Sequence, residues 1–562
     1  MELKDLMEET KMTTLYDQKP WLALYEPNIA AVIEPEYDNA LDMFRASVRR
    51  CPTAPIIRYF DATLTFSELD DLSDALAVGL SQDGLAKGDR LALVLQNIPA
   101  FIIATVAAWK LGAIVVPINP MYRQRELNEV LKDSGARAVI CLDSAVDLVR
   151  TSSEATGVQH VITTSALEFQ TRNDPRIFPS AQRPAVAGAV DLMELIAKHR
   201  GSHPAGVHLE PTDLALLPYT SGTTGPPKGS MNTHANVVFT AQIYRDWVGL
   251  KQGGAMFAVA PLFHITGLIG HIAAPILAAA PAILTCRFEP GVSAEAIAEH
   301  QGTTTIGAMT VFIAFTNNSA VTAAHLSSFR SVFSGGAPIP KSALEAFRAK
   351  FGHYIHNGYG LTETNSPAIV VPLSREAPVD KDSGAVAIGV PVSNTTAWVV
   401  DDSDTPVPVG EIGEIVLSGP QVAQGYWNNP QETQKAMPGG RFHTGDVGFM
   451  DQQGWFYIVD RKKDQINASG FKVWPREVED VLYEHPAVLE AAVVGVLDDY
   501  RGETVKAFVS FKEGASATTD ELIAFCKENL AAYKVPRIVE VRQELPKTVT
   551  GKILRRQLRK EL

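Results

Sequence analysis

The 562-residue sequence has few cysteines: Cys51, Cys141, Cys286 and Cys526. They are far apart in the chain and show no metal-type spacing, which argues against a disulfide framework and predicts reduced thiols. The first residues, MELKDLMEETKMTTLYDQ, are charged and lack the apolar core of a signal peptide. Together these absences predict a cytoplasmic protein.

An excess of positive charge is also missing. The chain has 50 Lys and Arg against 63 Asp and Glu, which gives a formal net charge of −13. A general nucleic-acid binder needs clustered Lys and Arg to neutralise phosphates, so we expect no nucleic-acid partner. The charge does not exclude one basic pocket.

The longest uncharged stretch, from Lys251 to Arg287, is long enough to span a membrane. Its apolar character is broken by prolines and by polar or small residues, so we predict a buried strand, a loop and a buried helix rather than a stable membrane span. The interrupting residues are Pro261, Pro275, Pro281, His264, Thr266, Gly267 and His271.

What the sequence does have is the composition of a soluble globular protein, with 46% hydrophobic and 20% charged residues. Its length exceeds one ordinary core and predicts two or more domains. From about residue 40, helical patterns such as 64–84 alternate with short apolar strands such as 90–96. Such alternation predicts a parallel sheet covered by helices on both faces.

Two later regions differ from this pattern. Residues 406–430 are rich in strand and turn signals and predict a smaller β subdomain. The last hundred residues alternate differently and predict a small α+β domain, with a capping box at Thr518 and Glu521. We therefore expect an α/β fold: a large N-terminal domain, 1–459, of parallel-sheet α/β subdomains plus a β subdomain, and a C-terminal α+β domain, 460–562.

The stretch YTSGTTGPPKGSMNTH begins at Tyr219, directly after a predicted strand. Its backbone N–H groups, hydroxyls and one Lys are suited to cradling a polyphosphate. It is not the Walker loop, because Pro227 precedes Lys228 and Gly229 follows it. The alternative is a flexible surface turn.

Five further motifs follow in the order of the chain. They are SGGAPIP (334–340), NGYGLTET (357–364), HTGD (443–446), DRKKDQINASGFKVWPRE (460–477) and PKTVTGKI (546–553). Each is weak alone. Together with the loop they resemble the acyl-adenylate-forming superfamily over about residues 50 to 555. That superfamily includes acyl- and aryl-CoA ligases, the adenylation domains of nonribosomal peptide synthetases, and beetle luciferases.

The resemblance implies a nucleotide site, built mostly from the N-terminal domain. Thr362 is expected to bind the α-phosphate, and Glu363 to coordinate Mg²⁺. Asp446 and Arg461 are expected to bind the ribose. The residues expected around the ATP phosphates are Thr220, Ser221, Gly222, Thr223, Thr224 and Lys228. Those expected around adenine are Gly335, Gly336, Ala337, Pro338, Asn357, Gly358, Tyr359 and Gly360.

The resemblance also implies a mobile C-terminal domain. Lys552 is expected to reach the reacting carboxylate and the α-phosphate. Lys463 is the expected hinge, and Gly470 the expected lining of the thiol tunnel. Ser230 and Asn232 depart from the family pattern, since many relatives have apolar residues there.

The implied reaction has two steps. A carboxylate attacks the α-phosphorus of ATP, releasing pyrophosphate and leaving an acyl-adenylate; the thiol of coenzyme A (CoA) then gives acyl-CoA and AMP. Because both partners of the first step are anions, Mg²⁺, Lys228 and Lys552 are expected to offset their repulsion. No covalent nucleophile of the enzyme is required.

His264 matches a family motif at the mouth of the acyl pocket. No charge lies near it, which disfavours amino acids, and the apolar segment 306–315 favours an apolar acid. We expect a medium- or long-chain fatty acid, with an aromatic or alicyclic acid as the alternative. A loader of an acyl carrier protein and a luciferase share the same motifs. A homodimer is possible for the family, but no sequence feature identifies an interface.

Overall fold

The computed structural model of the chain describes residues 14–180, 182–183, 186, 188–220, 226–336, 339–381, 385–461, 464–468, 471–498, 502–548 and 553–561. Up to residue 220 the elements are α1 (Leu15–Gln18), a 3₁₀ helix (Pro20–Leu24), α2 (Ala40–Arg50), β1 (Pro55–Tyr59), β2 (Ala62–Thr65), α3 (Phe66–Gln82), β3 (Arg90–Val94), α4 (Pro99–Leu111), β4 (Ile114–Pro117), α5 (Gln124–Ser134), β5 (Ala138–Leu142), a 3₁₀ helix (Asp143–Ala145), α6 (Val146–Thr156), β6 (His160–Thr164), β7 (Val190–Asp191), α7 (Leu192–Lys198), β8 (Leu214–Leu216) and β9 (Tyr219–Thr220).

The middle of the chain continues the alternation. Its elements are β10 (Lys228–Gly229), β11 (Asn232–Thr233), α8 (His234–Trp247), β12 (Met256–Phe257), a π-helix (Gly267–Ala273), α9 (Ala274–Ala278), β13 (Ala282–Leu284), α10 (Pro290–His300), β14 (Thr304–Gly307), α11 (Met309–Asn317), α12 (Ala323–Leu326), β15 (Ser331–Gly335), α13 (Lys341–Phe351), β16 (Ile355–Tyr359), a 3₁₀ helix (Thr362–Thr364), β17 (Ile369–Val370) and β18 (Val390–Pro391).

The remaining elements are mostly strands. They are β19 (Thr396–Val400), β20 (Gly413–Ser418), α14 (Pro430–Ala436), a 3₁₀ helix (Pro438–Gly440), β21 (Phe442–Met450), β22 (Phe456–Arg461), β23 (Ile466–Ala468), β24 (Phe471–Val473), α15 (Pro475–Glu484), β25 (Val488–Asp498), β26 (Gly502–Phe511), α16 (Thr519–Asn529), β27 (Ile538–Val541) and α17 (Arg555–Lys560).

A seven-stranded sheet has the order β11-β8-β4-β3-β5-β6-β7. Its strands pair in parallel, except that β11 runs antiparallel to β8. The strands are short and apolar because helices cover both faces of a parallel sheet. Helix α4 starts at Pro99, which has no N–H to leave unpaired, and ends before Gly112 at φ 68°.

A nine-stranded sheet has the order β18-β17-β16-β15-β14-β12-β13-β1-β2. The six central strands, from β16 to β1, are parallel. One apolar core contains Leu91 and Val115 of the first sheet and Leu284 and Ile306 of the second, together with residues of α3, α4 and α8. The two sheets therefore share one core, and the predicted α/β class is confirmed.

The uncharged segment from Lys251 to Arg287 contains two buried strands, β12 and β13, with helical turns between them. The helical part begins as a π-helix, in which Ala274 N–H donates to the carbonyl of Ile269, five residues earlier. Pro275 does not interrupt this helical path, because it lies in the first turn of α9. In the described part of the chain, every helix is too short or too polar to cross a bilayer.

Strands β19 to β22 form an antiparallel four-stranded sheet, as expected for the β subdomain. Strands β23 to β27 form the last sheet, of five strands. Thr518 and Glu521 form the predicted capping box of α16. The boundary between residues 459 and 460 stays a prediction; it falls within β22.

Candidate nucleotide and acid site

The predicted phosphate loop leaves and re-enters the fold through a short hairpin stem, in which Thr220 pairs with Lys228 and Tyr219 with Gly229. The Tyr219 hydroxyl donates to Asp133 Oδ2 at 2.6 Å, which anchors the stem to the end of α5. Burial and the nearby Asp133 raise the pKa of Tyr219, so this phenol stays protonated and donates. The loop residues Ser221, Gly222, Thr223 and Thr224 lie outside the described residues.

Lys228 is held on the other side of the stem. Its Nζ lies 2.9 Å from Glu432 Oε2 and 4.5 Å from the centre of the Tyr426 ring. The hydrogen bond from Lys228 lowers the pKa of Glu432. An ammonium has three donors, so Lys228 can contact a phosphate oxygen without leaving Glu432.

The metal-binding candidate Glu363 lies in the 3₁₀ turn directly after β16 and is 8% exposed. Its Oε1 accepts a hydrogen bond from the Tyr426 hydroxyl at 2.7 Å. Within the described residues, three or more His, Cys, Asp or Glu side chains do not come together as a metal cluster. A lone carboxylate suits Mg²⁺, which keeps several waters and takes its remaining ligands from substrate phosphates.

Thr362 begins the same 3₁₀ turn, and its carbonyl accepts from Asn232 Nδ2 at 3.4 Å. Ser230 donates to Asn232 Oδ1 at 2.9 Å, and both residues are fully buried. The two departures from the family pattern therefore form a polar link from the strand after the phosphate loop to the predicted α-phosphate threonine.

The predicted adenine segments lie at the carboxyl ends of β15 and β16, where Gly335 pairs with Gly358. A Cβ added at Gly335 would lie 2.5 Å from the carbonyl oxygen of Gly358, and Gly336 has φ 81°. At Gly360, a Cβ would lie 2.9 Å from the Cα of Ser366. Glycine therefore permits a close approach of backbones here. Ala337 and Pro338 lie outside the described residues.

The predicted ribose and adenine residues meet across 87 positions of sequence, since the Tyr359 hydroxyl donates to Asp446 Oδ2 at 2.8 Å. Asp446 is 4% exposed and faces Arg461 in the β21–β22 register. The Arg461 side chain is not among the described ones. Asn357 is buried beside Tyr359, and its carbonyl accepts from Val371 N–H.

His264 lies on a loop between β12 and the π-helix, half-buried. Asn97 holds that loop: Nδ2 donates to the carbonyls of Ala258 and Ala260 at 2.9 and 3.0 Å, and Oδ1 accepts from Leu262 N–H at 2.8 Å. All three bonds fix backbone just before His264. Sequence reasoning missed Asn97, because a single Asn after a strand has no distinctive spacing.

Apolar side chains meet at the carboxyl ends of β12 and β14, on the same sheet edge. A Cβ added at Gly307 would lie 2.6 Å from Val259 Cγ1 and 3.8 Å from Val311 Cγ2. Val259 and Val311 are only partly buried, so this edge exposes apolar surface. It includes part of the segment 306–315 that predicted an apolar acid.

The three predicted residues of the C-terminal part, Lys463, Gly470 and Lys552, lie outside the described residues, and their roles stay predictions. Close to Lys552 in sequence, Arg555 forms an ion pair with Asp460 at 2.9 Å.

Tyr426 and Glu432 were also missed by sequence reasoning. Tyr426 lies in the region 406–430, which was interpreted only as strand and turn, and Glu432 follows two residues after that region. An aromatic residue and an acid in a turn-rich stretch have no spacing that distinguishes a site from a surface turn. Only the fold brings them to Lys228 and Glu363.

Known protein families match both parts of the chain. The AMP-binding enzyme family model matches residues 44–427, and the C-terminal domain model of the same enzymes matches residues 477–552. The chain belongs to the AMP-binding enzyme family. The predicted family is thus confirmed.

Individual AMP-binding enzymes are similar to this chain over nearly its whole length. A long-chain-fatty-acid–CoA ligase of Escherichia coli O6:H1 is 38% identical, covering 97% of this chain and 98% of its own. One from Bacillus subtilis is 36% identical, with 97% and 99% covered. The solved anthranilate CoA ligase AuaEII, in complex with anthranoyl-AMP, has a TM-score of 0.85 at 27% identity, covering 95% of this chain and 99% of that one.

Proposed function

We propose that this chain is an ATP-dependent carboxylic acid–CoA ligase whose acid is a medium- or long-chain fatty acid. The observation that carries the proposal is the convergence of a phosphate-loop lysine, a buried carboxylate and a tyrosine–aspartate pair around β16 and the turn that follows it. Lys228 and Glu363 both contact Tyr426, and Tyr359 bonds to Asp446. Each pair joins motifs that are far apart in sequence.

In the first step the acid carboxylate attacks the α-phosphorus, an O–P bond forms, and pyrophosphate leaves. Lys228 and Thr362 bind phosphate oxygens, while Tyr359 and Asp446 hold the nucleoside. Mg²⁺, when bound, neutralises phosphate charge, and Glu363 would hold it. Lys552 is proposed to contact both reacting anions. Placing the two reactants in line supplies much of the rate enhancement.

In the second step the CoA thiol attacks the acyl carbonyl. The sulfur–carbon bond forms, the bond from carbonyl carbon to the AMP oxygen breaks, and the thiol proton is lost. Lys463 and Gly470 are proposed to serve this step as hinge and tunnel lining. We propose CoA as the acceptor and the cytoplasm as the location; a carrier-protein acceptor and a homodimer stay open alternatives.

The choice of a fatty acid is supported by the apolar edge at Val259 and Val311 and by the long-chain ligases among the relatives. An aromatic acid is the second candidate. It is supported by the structural similarity to anthranilate CoA ligase.

The test is pyrophosphate release with Mg·ATP and a panel of saturated fatty acids, benzoate, cinnamates and amino acids, with and without CoA. We expect turnover only with CoA and the highest kcat/KM with a fatty acid. A best rate with benzoate or a cinnamate would establish the second candidate. Release that is indifferent to CoA, or activity confined to amino acids, would contradict the proposal.

Lys552→Ala tests whether Lys552 acts mainly in the first step. It should slow adenylation far more than thioester formation from supplied acyl-adenylate, because the ammonium acts on the first pair of anions. Equal loss in both steps would refute this role.

A further inference from the structure

Tyr426 contacts both charged groups of the phosphate site. Its hydroxyl donates to Glu363 Oε1 at 2.7 Å, and the Lys228 ammonium lies 4.5 Å from the centre of its ring. The residue is 5% exposed. One rigid side chain thus spans the space between the metal-binding candidate and the phosphate-binding candidate.

The backbone around Tyr426 is tied to the same two motifs. Ala423 N–H donates to the carbonyl of Glu363 at 2.8 Å, and Trp427 N–H donates to the carbonyl of Gly229 at 2.8 Å. Residues 423–433, here called the bridging segment, therefore connect the NGYGLTET turn to β10, the strand that contains Lys228.

The bridging segment is itself closely packed around Tyr426. Tyr426 N–H donates to Thr433 Oγ1 at 2.8 Å. Gly425 has φ 139°, and a Cβ there would lie 2.5 Å from Thr433 Cγ2. Asn429 caps α14 and so fixes the helix that carries Glu432. The ring position is therefore set by several contacts outside the site.

The chemistry of the two contacts differs. The Tyr426 hydroxyl donates to Glu363 and so orients the carboxylate. The ring face attracts the Lys228 cation, and Glu432 supplies a counter-charge at 2.9 Å. The hydroxyl therefore acts on the metal ligand, while the ring and Glu432 act on the lysine.

We propose that Tyr426 is a positioning residue that fixes the separation between Lys228 and Glu363, so that both groups are aligned before Mg·ATP binds. The inference rests on the proposed function of this site and names a residue that acts through its two neighbours.

Tyr426→Phe removes only the hydroxyl. We expect the Mg²⁺ concentration for half-maximal pyrophosphate release to rise about 10-fold, as for loss of a hydrogen bond to a charged group. At saturating Mg²⁺ the KM for ATP should change less than about 2-fold, because the ring still faces Lys228.

Glu432→Gln tests the contact with the lysine, Lys228. It should change the KM for ATP several-fold and leave the Mg²⁺ midpoint unchanged, because Glu432 contacts only the lysine side of the arrangement. Tyr457→Phe is the matched control, since the Tyr457 hydroxyl also donates to a carboxylate, Asp451, at 3.2 Å. This control should change neither quantity.

Binding of a fluorescent ATP analogue, titrated with Mg²⁺, gives a readout that does not need turnover. An unchanged Mg²⁺ midpoint in Tyr426→Phe would overturn the inference. Equal shifts of the Mg²⁺ midpoint and of the KM for ATP in both Tyr426→Phe and Glu432→Gln would also overturn it. The latter pattern indicates general loosening of the bridging segment. If the wild-type protein neither binds the analogue nor releases pyrophosphate, the proposed function itself fails.

Discussion

The nine-stranded and seven-stranded sheets place a buried acid at the same kind of position, just after a parallel strand, but surround it differently. After β5 of the seven-stranded sheet, Asp143 is 7% exposed and accepts hydrogen bonds from the Arg183 guanidinium at 2.7 and 3.0 Å. After β16 of the nine-stranded sheet, Glu363 is 8% exposed and bonded to the neutral phenol of Tyr426.

The difference lies in the charge of the partner. The Arg183 guanidinium neutralises the charge of Asp143, whereas the Tyr426 phenol carries no charge and leaves Glu363 negative, as the proposed Mg²⁺ contact requires. Two sheets with the same strand–helix alternation are therefore proposed to have different roles because of single side chains at their edges.

The largest expected effect comes from exchanging the two acids for amides. Glu363→Gln should lower kcat for pyrophosphate release about 10²–10³-fold, the range seen when a group that stabilises transition-state charge is lost. The melting temperature of this variant should change little. Asp143→Asn is the matched control and should lower stability while preserving kcat. Equal loss of activity in both variants would remove the distinction between the sheets.

Glycine replacements give the next largest effect. Gly335→Ala places a Cβ 2.5 Å from the carbonyl of Gly358, so β15 and β16 must separate. We expect a loss of roughly 2 kcal/mol in stability and a raised KM for ATP. Gly206→Ala, where a Cβ meets no atom within 4 Å, should be neutral. Denaturant midpoints and ATP titrations would check both; an unaltered Gly335→Ala protein contradicts the close approach.

Acid sensitivity should also distinguish a buried histidine of the nine-stranded sheet from a half-buried histidine of the seven-stranded sheet. Burial lowers the pKa of His356 in β16 from 6.5 to about 4. The unfolded chain therefore binds this proton more tightly, so stability is present above pH 6.5 and falls as pH drops from 6.5 towards 4. The loss should reach roughly 2 kcal/mol by pH 5. Between pH 6.5 and 4, the urea midpoint should depend less on pH in His356→Asn than in the wild-type protein. His160→Asn, a change in β6, should keep the wild-type dependence.

The smallest effect is expected at Asn232, where the seven-stranded sheet reaches the site. Asn232→Val breaks the bond to the Thr362 carbonyl and leaves Ser230 without its acceptor. We expect about 1 kcal/mol of destabilisation and a few-fold lower kcat/KM for ATP. Ser230→Ala combined with Asn232→Val should recover part of the stability, as apolar pairs can replace polar ones. No recovery would show that the two side chains act separately.

The parallel sheets, the β subdomain and the α16 capping box were predictable because each depends on local periodicity or on a short pattern. Tyr359 and Asp446 could be proposed as site residues because each lies in a recognisable motif, although the sequence could not show that they touch. Tyr426, Glu432 and Asn97 could not be found in this way. Their partners are set by the packing of distant segments, and no local pattern records that packing.

The π-helix shows the same limit in another form. The uncharged, interrupted apolar run predicted a buried helix, but it did not predict the hydrogen bond from Ala274 N–H to the carbonyl of Ile269, five residues earlier. At Gly267, a Cβ would lie 2.1 Å from the carbonyl of Pro261, so the loop before the helix packs directly against its first turn.

The contact between Lys228 and Glu432 has a consequence for synthesis on the ribosome, since 204 residues separate its partners. At roughly 5–20 residues per second, the segment that holds this lysine is made about 10–40 s after the lysine itself. A nascent chain that ends before residue 423 can complete most strands of both parallel sheets but has no bridging segment. The proposed phosphate site is therefore completed late, after the sheets that surround it.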